Sequence, residues 1–194
     1  MTRRKPETKT DIPAGKESWH PGLLPGPIVL ISTLSSRGVS HAARKSWISM
    51  ASSRPPMLML GCRLSHRTAI NILETREFVV NIPGDNLAAR IQGAVDSAQP
   101  TSEEDDSAAW TWGPSRKVAV PRIMDCRAHI ECTLESTRRL NEEDLVFFAT
   151  IEAASVDAAL LQGAHENRYK ALRSMLQLEE GLIADVDHAT KLPG

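Results

Sequence analysis

Cysteine is scarce in this chain: there are three, Cys62, Cys126 and Cys132, an odd number with no Cys-x-x-Cys spacing. A disulfide framework is therefore not expected, and a reducing cytoplasm is the location that fits. Long apolar runs are missing too. The best, Ile28 to Leu34, is the length of a strand, far short of the roughly 18 residues of a membrane span. The first residues, Met1-Thr-Arg-Arg-Lys-Pro-Glu7, are basic but lead into no apolar stretch, so no secretory signal is expected. Charge of one sign is also absent. The formal net charge is −1, which offers no field to draw in nucleic acid or an anionic membrane. No metal-ligand cluster, catalytic triad, carboxylate pair or internal repeat stands out.

What is present suits one globular domain. The 194 residues are 41% apolar and 24% charged, near the averages for such proteins. At that size about 70% of the unfolded surface can be buried, so no metal or disulfide staple is needed. Residues 1–21 read as a polar tail, and residues 22–194 as the domain. Ile28-Val-Leu-Ile-Ser-Thr-Leu34 predicts a strand, and Ser35-Ser-Arg-Gly38 a hairpin turn into a returning strand from Val39 to Trp47. Arg54-Pro-Pro56 breaks the chain before another apolar strand, Met57 to Cys62.

Ala69, Ile72 and Leu73 then recur at helical spacing, ahead of a strand at Phe78-Val-Val-Asn81. Asp85 suits the N-cap of a short helix through Leu87, Ile91 and Ala94, and Glu103-Glu-Asp-Asp106 an exposed loop. Two long strands are predicted over Ala128 to Leu134 and Leu145 to Ala154, turning at Asn141-Glu-Glu-Asp144, with a helix from about Asn167 to Leu178. Strands in hairpin order without alternating helices disfavour a doubly wound sheet and predict a mainly β, antiparallel barrel.

The sharpest chemical feature is a strand that delivers Arg63-Leu-Ser-His-Arg-Thr68 to the start of a helix. Outward-facing N–H groups and the positive helix end there suit an anion, and Arg63, Ser65, Arg67 and Thr68 add donors. Phosphate is a plausible guest. The pattern equally allows Ser65 or Thr68 to be a plain helix cap beside solvated arginines, and both readings stay open at this point.

Ala42-Ala-Arg-Lys-Ser-Trp47, Ser52-Ser-Arg-Pro-Pro56, His66-Arg-Thr68 with Asn71-Ile72, and Glu77-Phe-Val-Val-Asn81 occur in order along the chain, followed by Ala128-His-Ile-Glu-Cys132. Together, from about Pro25 to Ala154, they resemble the flavin reductase-like family, which includes the flavoredoxins and the reductases of two-component monooxygenases. That resemblance implies an FMN-binding split barrel related to a Greek key, paired as a homodimer, with the flavin at or near the dimer interface. It implies that Ser46, Trp47, Ile48, Ser49 and Met50 lie along the isoalloxazine, with His41 nearby where relatives often carry asparagine. Cys62, Arg63, Leu64, Ser65, His66, Arg67 and Thr68 would take the ribityl chain and phosphate. Relatives often hold a lysine near the phosphate after the second helix. Asp106-Ser-Ala-Ala-Trp110 lacks it, so Arg63, Arg67 or Lys117 would supply that contact. Tyr169 would meet the ring.

The implied activity is hydride transfer from NADH or NADPH to FMN, with FAD the alternative flavin. Electrons would pass on to an acceptor or a partner monooxygenase. Such transfer needs no acid or base from the protein, in keeping with the missing triad. The alternative is a non-enzymatic electron carrier like a flavoredoxin. A haem-binding barrel is disfavoured because no histidine is placed as an axial ligand.

Other residues suit plainer roles. Cys126, Ala128, Ile130, Cys132 and Leu134 alternate onto one strand face and read as core, whereas His129 and Glu131 read as surface. Trp47 suits the barrel core or the flavin's side. Trp110 and Trp112 suit packing or the dimer interface.

Overall fold

A computed structural model of the chain describes residues 24–91, 110–162, 170–179 and 182–186. The expected tail (1–21), the acidic loop Glu103–Asp106 and Tyr169 lie outside the described residues.

Twelve strands and a nine-residue α-helix carry most of the described fold, with further helical residues at 88–91 and 170–172. In chain order the strands are β1 (Gly26–Pro27), β2 (Val29–Leu34), β3 (Ser40–Lys45), β4 (Ile48–Ser53), β5 (Pro56–Arg63) and β6 (Glu77–Ile82). They continue with β7 (Trp112–Gly113), β8 (Arg122–Ile123), β9 (Ala128–Arg139), β10 (Asp144–Val156), β11 (Met175–Glu179) and β12 (Leu182–Asp185). Helix α1 (Arg67–Thr75) sits between β5 and β6. The main sheet has seven strands in the order β3-β2-β6-β9-β10-β5-β4. Every neighbouring pair in it is antiparallel.

That order forces curvature. The two edge strands, β3 and β4, are joined by only Ser46 and Trp47, which can span no more than about 11 Å. Laid flat, seven strands would hold their edges about 29 Å apart. The sheet must therefore curl until its edges meet, and β3 and β4 do not pair with each other. The result is a barrel with a split. β1 crosses close to that split: a Cβ on Gly26 would stand 2.6 Å from the Ser46 carbonyl oxygen, so only glycine fits.

Two larger apolar clusters flank the curled sheet, and a small third one joins Val79 to Val118 and Val120. Val29, Ile31, Leu60, Phe78 and Phe147 pack with Ala69 and Ile72 of α1. Ile28, Leu30, Trp110, Ile123, Cys126 and Met175 form the second cluster. The alternation along residues 28–31 feeds both clusters, which is why this strand is buried on both faces. The predicted hairpin turn forms, with Gly38 at φ 80° and its N–H bonded to the Ser35 carbonyl.

Three expectations are corrected. Residues 175–179 form β11, paired with β1 and β12, rather than the end of a helix. Asp85 is not the cap of the short helix: it opens a 3-10 turn capped by Gly84 that leads into helical residues 88–91, and its carboxylate meets Arg173 at 2.8 Å. His129 and Glu131 do face away from the first cluster, but residues 115–123 cover that side, and both are buried. Glu131 accepts backbone N–H groups of Arg116 (3.0 Å) and Lys117 (2.6 Å), while His129 Nε2–H donates to the Ile123 carbonyl (2.9 Å).

Candidate functional site

The expected site residues come from three neighbouring pieces of chain. His41 lies on β3, Ser46 and Trp47 bridge the split, and Ile48, Ser49 and Met50 lie on β4. Cys62 and Arg63 end β5, Leu64, Ser65 and His66 make the turn, and Arg67 and Thr68 open α1. The pieces are locked together by backbone. Gly61 N–H donates to the Trp47 carbonyl at 2.7 Å, and Ser49 and Met50 pair with Met59 and Leu58 across β4 and β5. A Cβ on Gly61 would stand 3.2 Å from the Trp47 Cβ, so the small residue lets Trp47 lie close over β5.

Trp47 is 65% exposed, Met50 58% and Met59 40%. Trp47 is thus not barrel core. The register places Trp47 and Met59 on one face of β4 and β5 and Met50, opposite Leu58, on the other. Exposed apolar side chains thus stand on both faces beside the split.

At the start of α1 the plain-cap reading does not hold. His66 occupies the cap position with no side-chain cap bond, and neither Ser65 nor Thr68 closes the helix end. Thr68 is fully buried, yet its Oγ1 has no hydrogen-bond partner. A buried hydroxyl left unpaired in the first turn of a helix suits a guest that accepts hydrogen bonds. A phosphate fits that description, with Arg67 next to Thr68 in the chain and Arg63 at the end of β5.

A residue outside the expected set joins here. Lys45, at the end of β3, places its Nζ 2.9 Å from His66 Nδ1, and Cys62 Sγ lies 3.8 Å from the same nitrogen. Strand alternation could have found it, because His41, Ala43 and Lys45 share one face. Burial, then the charges of Lys45 and Arg63, hold the His66 imidazole below its ordinary pKa, with Asp144 opposing. For Cys62 burial raises the thiol's pKa despite Lys45 and the N–H groups of Ala69 and Arg63, so it stays protonated. His41 sits on the same strand face as Lys45, about 13 Å along β3. Lys117, the other expected phosphate donor, has its backbone engaged by Glu131.

Among the described residues no group of His, Cys, Asp or Glu side chains could hold a metal, and no helix is long and apolar enough to cross a membrane. All three cysteines are free and buried. Cys126 and Cys132 are core as expected, but Cys126 lies ahead of β9 in the second cluster and Cys132 in the first, so they do not share one strand face. Trp110 is also packed inside, beneath the guanidinium of Arg90 at 4.5 Å.

Comparison with known proteins agrees with this architecture. Residues 22–173 match the model of the flavin reductase like domain. An uncharacterized protein, YwrF, of Bacillus subtilis is 32% identical over 117 residues, covering 58% of this chain and 57% of that one. The chain spans about three fifths or less of the first curated relatives it matches. An NADH:riboflavin 5'-phosphate oxidoreductase of Streptomyces pristinaespiralis is 23% identical, over 78% of this chain and 87% of that one. In structure, the nitrilotriacetate monooxygenase component B of Bacillus cereus superposes with a TM-score of 0.80 at 18% identity, covering 95% of this chain and all of that one. The fold is the split barrel of such flavin proteins. With the matched model covering most of its length, the chain belongs to the flavin reductase-like family.

Proposed function

We propose that this chain is an FMN-binding oxidoreductase that takes a hydride from NADH or NADPH and passes electrons to an acceptor or a partner monooxygenase. The observation that carries the reading is the start of α1, where a buried, unpaired Thr68 hydroxyl lies in the first helical turn near Lys45 and His66. Phosphate would be held there, and Ser46–Met50 would hold the ring system through their backbone groups, with Trp47 offering an apolar contact. A bound flavin supplies the redox chemistry, accepting hydride on one face of its ring. The protein's share is to hold the flavin by its tail and edges and leave that face open.

In this reading the exposed Trp47, Met50 and Met59 are covered by flavin and by a second copy of the chain, giving a homodimer. Free cysteines suit a cytoplasmic setting. The relatives' names support the flavin and NADH, and the neighbour that is a monooxygenase component supports a partner monooxygenase.

The test is a visible spectrum of the purified protein, loaded with FMN if colourless, followed by anaerobic NADH or NADPH. Bleaching of the flavin band on a catalytic timescale is the expected result. A stable yellow protein indifferent to both nucleotides would instead identify a carrier. A protein that cannot take up FMN at all would sink the reading.

A further inference from the structure

We propose that Lys45, held in place by His66, is the cation that grips the flavin's phosphate and makes the site prefer a phosphorylated flavin to riboflavin. This inference rests on the FMN reading above. It starts from an unusual partner choice. An ammonium can only donate, so the 2.9 Å contact makes His66 Nδ1 the acceptor. The imidazole is then neutral, with its hydrogen on Nε2.

No carboxylate lies within ion-pair distance of Lys45 Nζ among the described residues, so the pair keeps its full positive charge. That charge stands beside the positive end of α1 and near Arg63. Three like potentials gathered around a half-buried histidine repel one another. Asp144, at the start of β10, acts on His66 but forms no ion pair with Lys45. The fully buried Thr68 Oγ1 adds an unanswered polar group at the same helix end. An anion carrying more than one charge would satisfy all of these groups together, and a phosphate monoester is one. Riboflavin, without phosphate, would leave them as they are.

His66 then has a positioning role. Its neutral ring accepts from Lys45 without cancelling the charge, as a carboxylate would, and steers the long lysine side chain to the helix end. A lysine free to rotate would lose more side-chain freedom on gripping phosphate.

The experiment compares FMN and riboflavin affinity by flavin fluorescence titration of the full chain and its Lys45→Met, Lys45→Arg and Arg67→Ala/Thr68→Ala variants. For Lys45→Met, FMN binding should weaken about ten- to a hundredfold, as expected for a charge-assisted hydrogen bond, with riboflavin changed less than about twofold. Lys45→Arg should keep most of the preference. If Lys45→Met does not fold, by circular dichroism, Lys45→Gln takes its place. If the Arg67→Ala/Thr68→Ala variant loses FMN affinity while Lys45→Met leaves the FMN-to-riboflavin ratio unchanged, the role of Lys45 is overturned and the site stands. If FMN affinity is unchanged in every variant, the phosphate lies elsewhere and both the inference and the site beneath it fail.

Discussion

Thr68 places an unpaired hydroxyl where the surroundings provide no partner, and a polar atom in that state works against folding. Valine has nearly the same shape and no such atom. Thr68→Val should therefore leave stability unchanged or raise it by up to about 1 kcal/mol, while weakening FMN binding, as read by thermal melting and flavin titration. A clear loss of stability would mean that the hydroxyl has a partner in the folded protein. Two histidines make a second residue-scale prediction. Burial holds His129 below its ordinary pKa, and His66 likewise. Each binds a proton less readily in the folded chain than in the unfolded one. Their contribution to stability is thus complete above the ordinary histidine value of about 6.5 and is lost as pH falls below it. Urea unfolding at several pH values should show that decline, and His129→Asn should flatten it. A flat profile in the parent protein would count against it.

At the scale of elements, β9 carries an acid that organises a loop. The Glu131 carboxylate receives the N–H groups of Arg116 and Lys117, so one side chain holds residues 115–120 over the second face of the sheet. Glu131→Ala would leave two backbone donors unanswered and should destabilise the protein by about 2–4 kcal/mol, measured by chemical denaturation. A change under about 1 kcal/mol would mean that water replaces the carboxylate without loss. The same pair of residues shows where sequence reading stops. Alternation along Cys126 to Leu134 correctly put His129 and Glu131 on the face opposite the first cluster. It carries no information that a second layer covers that face, because the layer arrives from a loop without periodicity. The strand at residues 175–179 escapes local sequence patterns for a related reason. Met175-Leu-Gln-Leu-Glu179 consists of good helix formers, and its pairing with Gly26 and Pro27, some 150 residues earlier in the chain, overrides that preference. The turn at Ser35–Gly38 and the strand–turn–helix of residues 57–75 were legible because their signals are local. Alternation puts Lys45 on the face of His41, but its contact with His66, 21 positions away, is not written in any local pattern.

Across the whole molecule, the two edge strands of the main sheet are joined by a bridge of just two residues, Ser46 and Trp47. That bridge has little slack, since Trp47 is tied to Gly61 on β5 and Ser46 lies against Gly26 of β1. Inserting two glycines between Ser46 and Trp47 should relax the curl, lowering the melting temperature by several degrees, on the order of a 1–2 kcal/mol loss. It should weaken FMN binding in the same step. Unchanged FMN affinity in a folded insertion variant would place the ring away from the bridge.

The two-residue bridge also bears on how this protein should be handled. A cofactor resting on Ser46 and Trp47 would fasten the seam of the barrel as well as occupy its site. Occupancy and durability would then rise together, with melting temperature climbing with the logarithm of free FMN above its dissociation constant. Preparations that differ only in how much flavin they retained would look like proteins of different intrinsic robustness.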